Sequence, residues 1–300
     1  MRGAGLGVVL GALLVVVAVA SGTATWWFAA RTRPDAVSKR VAAQLVDRHP
    51  GARVAALGKA FLRVTMPSGL YIDARLAPTF QTCHDDRFDC SNAIDRVVAD
   101  VARAATLGTA PRLADLRAMV IGETSPGFRF GFVTEPLIGA LEVRYALVAG
   151  AASTFVTSTI TDRLRVDRAQ LKQAALANLA ADDQPRAELL SDRPGVYRVV
   201  SNDDAAANLL DAGRMRKLAT LVGSSRLYGA VPERGVLLLA RADAAGKQAL
   251  HPLAYARNAQ GLDDARDDAR NDVRPRVSEL FVYDGDAPEG QALALAATGG

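Results

Sequence analysis

Cys83 and Cys90 bracket the run Cys-His-Asp-Asp-Arg-Phe-Asp-Cys, which packs more chemically capable side chains together than any other stretch. As a disulfide the pair closes a short loop, worth about 2.5 kcal/mol on the chain-entropy argument. As a zinc site the run offers Cys83, His84, Asp85, Asp86, Asp89 and Cys90. Structural zinc sites use closer cysteine pairs and a second pair elsewhere, and the chain has no other cysteine. Free thiols are the remaining alternative. Spacing favours the disulfide, which requires an oxidising compartment and so goes together with export.

A second cluster is the repeat Asp-Asp-Ala-Arg, Asp-Asp-Ala-Arg, Asn-Asp-Val-Arg at 263–274. Asp263, Asp264, Asp267 and Asp268 could gather a divalent cation through oxygen ligands, but the interleaved arginines oppose one. On a helix the same spacing sets Asp263 beside Arg266 and Asp267 beside Arg270, a solvated face. Ser153, Thr154, Thr157, Ser158, Thr159 and Thr161 form a hydroxyl-rich stretch. Without a base placed by a motif, they read as solvent-facing strand residues. Of three histidines, His49 sits at a helix stop, while His251-Pro252 interrupts a helical pattern in the body. The chain has no G-x-x-x-x-G-K-[ST], H-E-x-x-H, G-x-S-x-G or paired C-x-x-C. No catalytic, cofactor-binding or metal-ligating residue is therefore assigned, and no cofactor is expected.

The elements that would position these groups begin at Pro34. Val37, Val41, Leu45 and Val46 recur at helical spacing from Pro34 to His49. Strands are expected at Arg53–Leu57, Ala60–Met66 and Leu70–Leu76, with Pro67-Ser68-Gly69 as a turn. Asn92 to Leu107 reads as a helix that Ser91 can cap and Gly108 can end. Ala118–Ile121 reads as a strand, and Gly127–Phe132 as an aromatic strand face. Further strands are expected at Leu141–Val148, Thr154–Ile160 and Val196–Val200. Asp167 and Gln170 form a capping box for a helix ending at Ala180. After Val196–Val200 and Asn202-Asp203-Asp204, helical sequence runs to Val222 with a break near Gly213. Leu227–Val231 and Val236–Ala240 flank a Pro/Gly loop as a hairpin. Helical sequence from Asp243, a last strand at Phe281–Tyr283 and a flexible tail at 285–300 complete the reading.

Gly3 to Ala30 holds no charged residue. At about 1.5 Å per residue it exceeds the roughly 30 Å hydrocarbon core, so it reads as a single transmembrane helix. Trp26, Trp27 and Phe28 close it as a membrane-interface belt, followed by Arg31 and Arg33. A cleavable signal peptide ending near Ala18-Val19-Ala20 is the alternative. The signal-like start and the cysteine pair favour an extracytoplasmic body, and the arginines after the span favour a cytoplasmic one. Lysine and arginine total 36 against 32 acidic residues, a formal net charge of +4. Basic and acidic residues alternate, so nucleic acid is not an expected partner.

The runs Pro136–Leu147, Ala174–Leu179 and Tyr228–Leu239 resemble the YtpQ-like family, bacterial proteins of unknown function. The resemblance covers residues 137–283 and supplies no functional residues. The combined expectation is α+β: an anchor at 1–33, a lobe at 34–136, a second lobe at 137–284 and a mixed or antiparallel sheet with packed helices. The expected function is a non-catalytic binding or interaction protein of the bacterial envelope, with an unknown protein or small molecule as partner. A hydrolase with a carboxylate-rich site and a cytoplasm-facing anchored protein are the alternatives.

Overall fold

The computed structural model describes residues 33–57, 60–86, 89–122, 131–201, 204–232, 234–253, 280–287 and 293–296. These residues form an α+β chain that divides into two compact units. One takes the described residues up to Gly69 with Asp73–Ala102 and Gly150–Ala152; the other takes Leu70–Ile72, Arg103–Ala149 and those from Ser153 onward.

The expected transmembrane helix must be corrected. Among the described residues no helix is long and apolar enough to cross a membrane. The longest helix among the described residues, Cys90–Thr109, carries Asp95, Arg96, Asp100 and Arg103 along its length. Gly3–Ala30, with Trp26, Trp27, Phe28 and Arg31, lies outside the described residues. Arg33 is an exposed residue at the start of the helix Pro34–Arg48. Single-pass membrane localisation is unsupported.

In the first unit, helix α1 (Pro34–Arg48) starts at a proline, whose fixed φ suits a first helical position. It buries Val37, Val41 and Leu45, and His49 caps it through its N–H on the Leu45 carbonyl. Strands β1 (Arg53–Ala56) and β2 (Phe61–Thr65) pair antiparallel, and β3 (Tyr71–Arg75) follows in the strand order. The turn before β3 uses Gly69 at φ 80°, a conformation that costs glycine little. Arg63 on β2 and Asp73 on β3 form a buried two-point ion pair at 2.8 and 2.9 Å.

Cys83 lies on helix α2 (Ala77–Asp85), and Cys90 is the first residue of α3 (Cys90–Thr109). A Cys83–Cys90 disulfide joins the two. Ile94, Val97, Val98 and Val101 of α3 are buried at helical spacing.

In the second unit, β6 (Leu141–Ala149) is the hub. β4 (Leu116–Gly122) pairs along its whole length from Leu116↔Leu147 to Gly122↔Leu141. The opposite edge takes β5 (Thr134–Ile138) beside residues 141–144, and β7 (Ala152–Phe155) also adjoins β6. The sequence from Ser158 is helical, not the strand that its β-branched residues suggest. Thr157 caps α4 (Ser158–Leu164), which ends at Arg165 in a left-handed conformation. Helix α5 (Arg168–Ala181) has the expected reciprocal capping box, with Asp167–Gln170 bonds of 2.8 and 2.9 Å. It buries Leu171, Ala175 and Leu179.

A second sheet is built from β8 (Arg186–Leu189), β9 (Val196–Val200), β10 (Arg226–Ala230), β11 (Leu238–Arg241), β12 (Phe281–Asp284) and β13 (Leu293–Leu295). Its order is β13-β12-β10-β11-β9-β8. One face packs Val199, Leu227, Leu239 and Phe281 against helix α6 (Ala212–Val222) and the 3-10 segment Ala205–Leu210. The other packs Val196, Leu238 and Ala240 against Leu250, from helical residues 244–253. Leu293–Leu295, read from sequence as part of a tail, pairs with β12.

Arg214 ties this layer to the end of α5. Its guanidinium donates to the carbonyls of Leu179, Asp182 (2.7 Å) and Asp183 (3.1 Å), and to Asn208 Oδ1 (3.2 Å). A helix C-terminus leaves such carbonyls unpaired, so one planar cation satisfies several at once.

Candidate functional site

Strands β6 and β7 bury the polar residues Glu142, Arg144, Ser153 and Thr154. Side chains alternate across a strand, so Val143, Tyr145 and Leu147 share one face of β6 while Glu142, Arg144 and Ala146 share the other. Tyr145 marks the α5 side. Its hydroxyl donates to Glu135 Oε1 at 2.7 Å, and Lys172 of α5 holds Glu135 Oε2 at 3.0 Å. Burial and that carboxylate raise the phenol's pKa. Burial alone would raise Glu135, but the bonds from Tyr145 and Lys172 hold it below its ordinary value.

On the opposite face, Arg144 is only 1% exposed and is paired with Glu142 through Nε at 2.8 Å and through Nη2. Met119 and Ile121 of β4 stand beside these two in register and form an apolar patch with Ala146, Phe155 and Phe132. Phe132 and Phe155 meet at 5.2 Å between ring centres, and Tyr71 closes on Phe132 edge-on at 6.3 Å.

A second guanidinium enters from the β10–β11 loop. Arg234 is half-buried; its Nη2 donates to Ser153 Oγ at 2.9 Å and approaches Met119 Sδ at 3.3 Å. Arg144 and Arg234 lie 5.6 and 5.0 Å from the centre of the same Phe155 ring. Ring quadrupoles attract cations at such distances, more strongly when water is excluded.

Asp204 completes the charge pattern. Its Oδ1 accepts the Ala206 N–H at 2.9 Å, and its buried Oδ2 has no hydrogen-bond partner among the described residues. Burial pushes its pKa up to about 6, against the opposing pull of Arg234 and of nearby backbone N–H groups. Glu142 and Arg144 pair beside the Phe132 and Phe155 rings, Arg234 reaches Phe155 from its loop, and Asp204 adds a buried carboxyl on which the Arg234 charge acts. Of the two guanidinium groups Arg234 is the more exposed, and a guanidinium offers directed donors to an anionic group. A carboxyl with a raised pKa can also act as a general acid.

The residues singled out from sequence lie elsewhere. Cys83 and Cys90 form their disulfide in the first unit. His251 is an exposed helical residue, and no histidine contributes to the raised Asp204 value. Ser153 and Thr154 are buried, not solvent-facing: Ser153 meets Arg234, and Thr154 donates to the Tyr71 carbonyl at 2.9 Å. The repeat at 263–274 lies outside the described residues. Among the described residues no group of three or more His, Cys, Asp or Glu side chains could hold a metal. Sequence reasoning missed Glu142, Arg144, Asp204 and Arg234. The available signal was Glu142 and Arg144 alternating inside the otherwise apolar run of β6.

A separate open cleft of about 780 Å³ lies between the end of α3 and α4, lined by Thr109, Arg112, Thr159, Asp162, Arg163 and Arg165. Two of its cations are engaged: Arg112 grips Asp115 at 2.6 and 3.1 Å, and Arg163 donates to the Gly108 carbonyl at 2.6 Å. No protein family, curated protein or solved structure matches the chain.

Proposed function

We propose that the chain is a non-catalytic binding protein whose second unit captures a small ligand bearing a carboxylate or phosphate next to an apolar or aromatic body. One observation carries the reading: Arg144 and Arg234, from β6 and from a distant hairpin loop, converge on Phe155. Burying guanidinium groups is costly unless each is matched in charge and hydrogen bonding. A pair of them on one ring, beside a serine hydroxyl, has the composition of an anion-binding pocket, in which arginine supplies directed donors. Arg234 is the residue that meets the ligand, because it is the less buried of the two and arrives on a loop. Kinship with the YtpQ-like family belongs to the same proposal and rests on the three sequence runs alone.

The test is thermal unfolding of the native chain titrated with benzoate and, separately, with inorganic phosphate. A saturable rise in Tm with either probe, lost in Arg234→Gln and retained in an Arg112→Gln control, is the expected result. No shift with either probe, or a shift unaffected by Arg234→Gln, overturns the proposal. Asp204 favours a second reading, a hydrolase, because a buried carboxyl with a pKa near 6 is suited to proton donation. Turnover of an ester or phosphoester probe, lost in Asp204→Asn while binding persists, would establish that reading instead.

A further inference from the structure

The first unit holds a sulfur pair in surroundings that an ordinary structural bridge does not need. Cys90 is the first residue of α3, a helix of 20 residues, so its side chain sits where unpaired backbone N–H groups and the positive end of the macrodipole lie. Independently, Arg40 of α1 places Nη1 3.7 Å from Cys90 Sγ and Nη2 3.2 Å from Ser91 Oγ. Both features stabilise a thiolate. Cys83 has neither: it lies near the C-terminal end of α2, where the dipole is negative and a thiolate is disfavoured. The nearby acids are engaged elsewhere. Asp89 is bound by Asn92 and Arg96, Asp85 by Gln81, and Asp86 accepts the Asp89 N–H.

We propose that Cys83–Cys90 is a thiol–disulfide exchange site for a small dithiol, with Cys90 as the leaving thiolate. A reductant thiolate attacks Cys83 Sγ; the Cys83–Cys90 bond breaks, and its electron pair leaves on Cys90 Sγ, beside Arg40 and the α3 terminus. The reductant's second thiol then attacks its own sulfur in the mixed disulfide and releases Cys83, which takes up a proton. Two electrons pass to the protein, and the reductant leaves as a cyclic disulfide. Stabilising the reduced form in this way raises the potential of the couple, because a lower leaving-group pKa favours release. Cys83 and Cys90 are 0% and 3% exposed, so the attack requires the last turn of α2 to lift. The asymmetry governs the equilibrium, and that opening governs the rate.

The test equilibrates the native chain with dithiothreitol and with glutathione buffers of graded ratio, then counts blocked thiols by intact mass after alkylation. Half-reduction within the glutathione series is expected. Arg40→Gln should shift the equilibrium about tenfold toward the disulfide, a change of about 30 mV for a two-electron couple, and Arg40→Lys should restore most of it. Thiolate absorbance of Cys83→Ser should titrate well below the ordinary thiol range, whereas that of Cys90→Ser should not. A bridge that survives every glutathione buffer, or an equilibrium unmoved by Arg40→Gln, overturns the proposal. So does an ordinary titration of Cys90.

Discussion

Phe281 lies directly over Gly229: the two pair across β12 and β10, and a Cβ on the glycine would fall inside the van der Waals envelope of the ring. The absence of a side chain on β10 is what lets the ring pack in the core shared with Met215 and Leu218. Gly229→Ala is therefore expected to destabilise the chain by about 1–3 kcal/mol through overpacking. The urea midpoint should fall with an unchanged denaturant slope. Gly69→Ala, which meets nothing within 4 Å but must hold a positive φ, should be milder.

Replacing Arg214 should be among the most damaging single changes. Its guanidinium serves carbonyls of Leu179, Asp182 and Asp183 as well as Asn208. Lysine has no planar fork and cannot meet them together. Arg214→Lys is expected to cost about 2–4 kcal/mol, since buried acceptors lose their donor. Thermal unfolding measures this, and hydrogen exchange should show added fraying in the last turn of α5.

Asp204 gives the chain a pH-dependent stability term of definite sign. Its folded pKa, about 6, lies above the ordinary carboxyl value, so the native state keeps a proton that the unfolded chain gives up. The favourable contribution is complete below the ordinary value of 3.8 and is lost as pH rises through 6. Asp204→Asn keeps an acceptor for Ala206 and removes the buried charge. It should raise the urea midpoint at pH 7 relative to the parent, and the gain should vanish near pH 4. An equal gain at both pH values would exclude a titrating Asp204.

The Arg63–Asp73 pair separates the cost of breaking a buried ion pair from the worth of having one. Asp73→Asn alone is expected to cost about 3–5 kcal/mol, because Arg63 stays buried without its two-point partner. Arg63→Met with Asp73→Leu should recover most of that loss. A double-mutant cycle in urea measures both quantities.

Much of the secondary structure was legible because local chemistry and burial agree. The Val37, Val41 and Leu45 stripe, the Asp167–Gln170 box and the hairpin around Pro232 and Gly235 each use residues with one favoured conformation. Helix α2 was not legible: it is short and polar, with Pro78 inside its first turn as its one start signal. The stretch after Phe155 was misread because its threonines favour strands, whereas Thr157 spends its hydroxyl accepting the Ile160 N–H and starts a helix. The candidate site was the least legible of all. Arg144 and Arg234 are far apart in sequence, and only strand register and a loop tip bring both to Phe155. A buried charge announces itself in sequence only when its partner is near, as with Glu142 and Arg144.

The placement of β13 has a consequence for biosynthesis. It is the last described strand to be made, yet it covers the outer edge of β12, which itself borders the central β10. Until Leu293–Leu295 emerge, a nascent chain presents the open hydrogen-bonding edge of β12, beside buried Phe281 and Tyr283. Such an edge invites pairing with neighbouring chains on the same messenger. A chain terminated just after residue 287 would carry that edge permanently, so truncation there should yield inclusion bodies, not a smaller stable protein.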